Sequence, residues 1–168
     1  MDLAIIFHHP KDLRNLADVA RIAARLGARL LVVSRPGRPD IIDYAVNSGA
    51  YVASSLEEAI RLLGSDYELV VLESYGDTCI EEYEPSTERI ALIIGAEDYG
   101  VPRQLIERLP VRPVIAKIPM AVQGMSYNVV VALAIALMIV THKLKRMGRL
   151  RGETWMNERT PADHDDMG

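Results

Sequence analysis

The chain contains a single cysteine, Cys79, among 168 residues. That excludes an intrachain disulfide and a cysteine-built metal cluster. Aromatic residues are few, with one Trp, one Phe and 7 Tyr. Long apolar runs are missing as well. The uncharged stretch Val129 to Val140 falls well short of the ~20 residues that a bilayer-spanning helix needs. The start, Met1-Asp2-Leu3-Ala4-Ile5-Ile6-Phe7, is apolar but short and has no basic segment before it. It reads as a buried first strand rather than a signal peptide. There is no Gly-x-Gly-x-x-Gly dinucleotide fingerprint and no Gly-Lys-Ser/Thr phosphate loop. His8 and His9 stand together without an evident third ligand, which is a poor basis for a metal site. No metal is expected. Few Asn, Gln and Cys beside many Ile, Leu, Arg and Glu suit a thermophile.

What is present is ordinary globular composition, 49% hydrophobic and 25% charged. The length suits one compact domain. Residues 1–150 are expected to form it, followed by a polar tail over 151–168. A soluble, cytoplasmic protein is expected, with no membrane association. The net charge is −4, unevenly spread. Residues 54–98 carry 12 acidic and 2 basic side chains, residues 8–38 carry 7 basic and 2 acidic, and residues 142–159 carry 6 basic and 2 acidic. A polyanion responds to such local positive potential more than to the total.

Short β-branched runs alternate with helical stretches. Strands are expected at Leu3–Phe7, Arg29–Ser34, Tyr51–Ala53, Glu68–Leu72, Ile90–Gly95 and Val114–Ile118. Helices are expected from the N-cap Asp12 to Leu26, over Ile41–Ser48, from the Ser55 capping box to Leu63, from Pro102 to Leu109, and from Ser126 to about Lys145. Residues 74–88 read as a long acidic loop. The run Leu30-Leu31-Val32-Val33 lacks polar alternation, as a strand buried on both faces does. The pattern predicts an α/β fold, an open and mostly parallel sheet with helices on both faces. The last helix is apolar nearly all round, which predicts burial on most sides.

Three segments follow strands at the edge where open α/β sheets bind ligands. The first is Asn15-Leu16-Ala17-Asp18-Val19-Ala20-Arg21. The second is Ile94-Gly95-Ala96-Glu97-Asp98-Tyr99-Gly100-Val101. The third is Ile118-Pro119-Met120, then Gly124-Met125-Ser126-Tyr127-Asn128. Gly95 permits a close approach to the backbone, and Gly100 permits a positive φ. Glu97 is a carboxylate at the end of an apolar strand, suited to orienting a hydroxyl, an amine or a sulfonium. Ile118-Pro119-Met120 offers an apolar edge on which a flat ring can rest. Ser126 is a candidate N-cap. Asn128 adjoins so much apolar surface that a specific partner is expected. Asn15 and Arg21, six residues apart on one helix, are offset by ~240° and do not share a narrow stripe. Tyr127 and Trp155 are candidates for stacking on a base.

In order and separation these segments resemble the three signature motifs of the SpoU/TrmH-type RNA 2′-O-ribose methyltransferases of the SPOUT superfamily. The resemblance runs from about residue 3 to residue 147. It implies a deep trefoil knot in the C-terminal part of the sheet, S-adenosylmethionine as cofactor, RNA as substrate, with tRNA ahead of rRNA, and a homodimer built partly on the last helix. It implies catalytic roles for Arg21, Asn15, Glu97, Ser126 and Asn128, and cofactor contacts from Leu72, Gly95, Ile118, Met120 and Ser126. Arg21 would act as a base or as a phosphate clamp. Ala17, Asp98 and Tyr127 depart from the residues common in the family, Gly, Gly and Leu. The competing class is a non-catalytic knotted dimer that holds cofactor or RNA and needs a partner protein.

Overall fold

The computed structural model describes residues 2–120 and 126–150. Seven strands form one sheet: β1 (Asp2–His8), β2 (Arg29–Val33), β3 (Tyr51–Ala53), β4 (Glu68–Leu72), β5 (Thr78–Cys79), β6 (Arg89–Ile94) and β7 (Val114–Lys117). Their order is β3-β2-β1-β6-β4-β7-β5, and each pairing is parallel. The helices are α1 (Leu13–Leu26), α2 (Pro39–Asn47), α3 (Leu56–Leu63), α4 (Arg103–Glu107) and α5 (Val129–Leu150).

Period-two alternation sorts the strand residues between two cores. Leu3, Ile5 and Phe7 of β1 join Leu16, Val19 and Ala23 of α1, with α2 and α5, on one face. Ala4 and Ile6 join Leu56, Ala59, Ile60 and Leu63 of α3, with Ile106 of α4, on the other. A large apolar side chain buried in this way contributes ~1.5–3 kcal/mol relative to exposure. Both faces of the central strands are covered, so they carry no polar alternation.

Local signals set the helix ends. The Asp12 carboxylate accepts from Arg14 N at 2.8 Å, and Gly27 ends α1 at φ 64°. Ser55 Oγ accepts from Glu58 N at 3.1 Å, while the Glu58 carboxylate reaches back to Ser54 N at 2.7 Å. The sequence places α2 two residues late, since Pro39 is already helical. A proline is welcome in a first turn, where its missing N–H is not needed. The acidic stretch 74–88 is more than a loop, because Thr78 and Cys79 pair with β7. Two residues are too few to show a strand period. The same segment buries Ile80 and Tyr83 against the α5 side of the sheet. Lys143 of α5 pins it, donating to the carbonyls of Glu81 at 2.6 Å and Tyr83 at 2.5 Å and to the Glu84 carboxylate at 2.9 Å.

The expectations for the last helix need two corrections. It begins at Val129 rather than Ser126, because Asn128 does the capping. Asn128 Oδ1 accepts from Val130 N at 2.9 Å, and its carbonyl accepts from Ala132 N at 2.9 Å. Nor is the helix covered on most sides within one chain. Leu133, Ala136, Leu137, Val140 and Leu144 are buried, but Val131 and Met138 are 46% and 67% exposed. Among the described residues, no helix is long and apolar enough to cross a membrane.

Candidate active site

Strand register brings the three motifs together. Phe7 lies opposite Ile94, so the segments after β1 and β6 leave the sheet side by side. Val71 lies opposite Ile93, and Leu72 opposite Ala116. Leu72, Gly95 and Ile118 therefore reach the same edge, at the ends of three adjacent strands.

Glu97 is the centre of the arrangement. Its carboxylate accepts from Lys11 N at 2.7 Å, from Asp12 N at 3.1 Å and from Asn15 Nδ2 at 3.0 Å. Two of these donors are backbone N–H groups at the start of α1, where the helix dipole favours a negative charge. Asn15 Oδ1 in turn accepts from Asn128 Nδ2 at 3.4 Å. A chain Glu97–Asn15–Asn128 thus joins residues 82 and 113 positions apart, one from each motif. This supplies the specific partner expected for Asn128. A carboxylate has about four acceptor sites, so three donors leave room for a substrate hydroxyl. Lys11, Leu13, Arg14, Asn15, Arg38 and Glu97 line an open groove of about 640 Å³ beside it.

Among the described residues, the other expected site residues make no hydrogen bond to this chain. Arg21 lies on an exposed part of α1 and ion-pairs with Asp18 three residues earlier, consistent with the angular offset from Asn15. Ser126 is exposed and precedes α5. Leu72 is nearly buried at 9% exposure, and Ile118 and Met120 are half-buried. Residues 121–125, including Gly124 and Met125 of the third motif, lie outside the described residues, as do Trp155 and the tail over 151–168.

The second-motif loop is tightly closed. Ala96 and Gly100 exchange backbone hydrogen bonds at 3.3 and 2.8 Å, and Gly100 has φ 66°. A Cβ on Gly95 would overlap the Gly100 backbone, and one on Gly100 would overlap the Glu73 carboxylate. The close approach at Gly95 is therefore made by its own loop. Beneath it, Glu73 accepts from Val101 N and Tyr75 donates to Val101 O. Burial raises the Glu73 pKa, against the pull of the Val101 and Ser74 N–H groups. Burial also pushes Tyr75 up to about 12.

A second cluster on this loop has no local signature in the sequence. Arg35 holds Asp98 with two hydrogen bonds of 2.9 and 2.8 Å, and Lys11 lies 3.6 Å from the same carboxylate. The Arg35 fork keeps Asp98 far below the usual carboxylate range. Tyr99 Oη and His9 Nδ1 share a hydrogen bond of 2.5 Å. His9 has φ 52° and stacks on His8 with ring centroids 4.0 Å apart. His8 is 3% exposed, and its Nδ1 has no hydrogen-bond partner among the described residues. Burial, then the nearby His9, lowers its pKa to about 4. Residues 63 and 90 positions apart meet here, and only strand order could have brought them together. Among the described residues, no group of three His, Cys, Asp or Glu side chains is placed to hold a metal ion.

Known proteins resemble this chain in sequence and in fold. The sequence profile of the SpoU rRNA Methylase family matches residues 2–138. A 23S rRNA (adenosine(1067)-2′-O)-methyltransferase from Streptomyces azureus is 30% identical over 142 residues, which is 79% of this chain and 52% of the relative. The chain thus spans about half the length of that curated relative. Among solved structures, one described as giving insights into the 2-OH methylation of C/U34 on tRNA matches with a TM-score of 0.70 at 23% identity, over 86% of this chain and 97% of that one. The SpoU methyltransferase AviRb from Streptomyces viridochromogenes, in complex with AdoMet, matches at 0.63 and 23% identity, over 87% and 58%. The A. aeolicus TrmH/SpoU tRNA modifying enzyme matches at 0.64 and 18%, over 90% and 77%. These likenesses show the fold and imply the SPOUT knot.

Proposed function

We propose that this chain, which belongs to the SpoU rRNA methylase family, transfers a methyl group from S-adenosylmethionine to a ribose 2′-hydroxyl of RNA, with tRNA ahead of rRNA as the substrate. The observation that carries the reading is the hydrogen-bonded chain Glu97–Asn15–Asn128, one residue from each motif. The curated relative methylates a 2′-oxygen of 23S rRNA, and a structurally similar protein is described with tRNA. A cytoplasmic place of work fits such substrates.

The residues at the ends of β4, β6 and β7 suit the cofactor. Leu72, Ile118 and Met120 offer a partly covered apolar lining for an adenine ring. Backbone groups of the Gly95 loop and Ser126 would hold the polar parts. Bound S-adenosylmethionine would supply an electrophilic methyl group on a positively charged sulfur, with the neutral thioether as leaving group and the hydroxyl proton passing to solvent. Glu97 orients that hydroxyl through its remaining acceptor site. Asn15 and Asn128 fix Glu97 and the entry to α5, so the ribose meets a preorganised edge. Arg21 is exposed and free to swing from Asp18 towards a phosphate. A guanidinium with a pKa above ~12 suits that clamp better than the role of a base. The open face of α5, with Val131 and Met138, is assigned to a homodimer interface.

The competing reading, a binding module without turnover, draws on the net charge of −4 and on the pairing of Arg21 with Asp18. The test incubates the protein with labelled S-adenosylmethionine and unmodified tRNA and rRNA transcripts, beside Arg21→Ala. Label in a 2′-O-methylnucleoside, lost in the variant, is the expected result. Cofactor binding with no transfer to any RNA selects the binding module. No cofactor binding refutes both.

A further inference from the structure

Tyr99 stands two residues beyond Glu97, and none of the chemistry above uses it. Two residues of chain reach at most ~7 Å, so Tyr99 lies beside any ribose held at Glu97. It is 48% exposed, yet it is held in place. The Arg35 guanidinium sits over its ring, 5.2 Å from the centroid. The His9 ring meets it edge-on at 6.1 Å and holds its hydroxyl. With one face and the hydroxyl engaged, the exposed area falls on the rest of the ring. Arg35 is neutralised by Asp98, so this spot is not built to hold a phosphate. A fixed, exposed aromatic ring backed by a neutralised guanidinium suits an unstacked base. Single-stranded RNA is bound largely by stacking on such rings, and every base has a face to offer.

We propose that Tyr99 is a stacking platform for the base neighbouring the methylated nucleotide, with Arg35 and His9 as the residues that position its ring. The inference rests on the ribose-methylation reading and adds a determinant of substrate positioning to it. It predicts tolerance of base identity at the neighbouring position but a requirement that a base be there.

The experiment uses single-stranded RNA decamers carrying 2-aminopurine, whose fluorescence is quenched on stacking, with the wild-type chain, Tyr99→Phe and Tyr99→Leu. Wild type and Tyr99→Phe should quench the probe and bind within about twofold of each other. Tyr99→Leu should lose the quenching and bind about tenfold more weakly, the size of one base–aromatic stack. An abasic decamer should bind wild type and Tyr99→Leu alike. Equal quenching by Tyr99→Leu overturns the proposal, as does wild-type binding without quenching or no wild-type binding at all. Label transfer from S-adenosylmethionine to RNA transcripts by wild type is read separately. Transfer that persists while the platform fails leaves the ribose-methylation reading standing. Loss of wild-type transfer refutes that reading itself.

Discussion

Replacing Glu97 with Ala should destabilise the fold as well as stop the reaction, and the two effects can be separated. The substitution strands Lys11 N, Asp12 N and Asn15 Nδ2, which donate at 2.7, 3.1 and 3.0 Å. A hydrogen bond to a charged group contributes ~1.5–3 kcal/mol. The Lys11 bond is exposed, where water replaces the lost partner, and the other two are partly buried. A total of about 3 kcal/mol follows from counting the partly buried pair at the low end. For a domain of this size each kcal/mol moves Tm by about 2–4 °C, so a fall of about 6–12 °C is expected. Glu97→Gln keeps Oε1 for Asp12 and Asn15 and turns an amide towards Lys11 N. It should therefore recover more than half of the lost stability. A thermal melt measures each variant, and a double-mutant cycle with Asn15→Ala isolates the pair at about 1 kcal/mol. A Glu97→Ala melt within 1 °C of wild type, or a cycle with no coupling, refutes the claim that this carboxylate joins the motifs.

Other consequences follow from the same geometry. Gly95→Ala forces a Cβ into the Gly100 backbone, where no side chain can move aside. It should cost more than ~3 kcal/mol, seen as loss of the cooperative urea transition or a large drop in its midpoint. His8 has a folded pKa of about 4 against 6.5 unfolded. The unfolded chain then binds the extra proton between those values, so stability is full above pH 6.5 and falls as pH drops towards 4. The contribution lost at pH 4.5 is about 2.5 kcal/mol, and His8→Leu should show that much less acid sensitivity in urea unfolding. Met138→Lys places a charge on the open face of α5. Sedimentation should show a dimer for wild type and monomer for the variant, while a monomeric wild type refutes the assigned interface.

The sheet and most helices were legible in the sequence because burial writes itself locally. Strand β4 was read with its observed limits, and Asp12, Gly27 and Ser55 announced their helix ends. Strand β5 was not legible, since two residues carry no period and owe their pairing to the β7 edge. The start of α5 was misread because Ser126 and Asn128 are both good caps, and only tertiary context shows that Asn128 takes the role. In the candidate site, Asn15, Glu97 and Asn128 were expected through the motif resemblance, and the structure adds the hydrogen bonds between them. The Arg35–Asp98 pair and the His9–Tyr99 contact were invisible. They depend on β1, β2 and β6 lying side by side, and no local pattern encodes that order. Asp98, a departure from the motif resemblance, is held here by Arg35.

The most direct measurement is single-turnover methyl transfer to an RNA transcript by wild type, Asn15→Ala and Asn128→Ala, with nuclease digestion and mass spectrometry of the nucleosides. The account predicts a 2′-O-methylnucleoside from wild type, and a rate at least about tenfold slower from each variant at unchanged cofactor affinity. Transfer to a base instead of a ribose, or variants as fast as wild type, would contradict the assignment of the reacting centre to Glu97, Asn15 and Asn128.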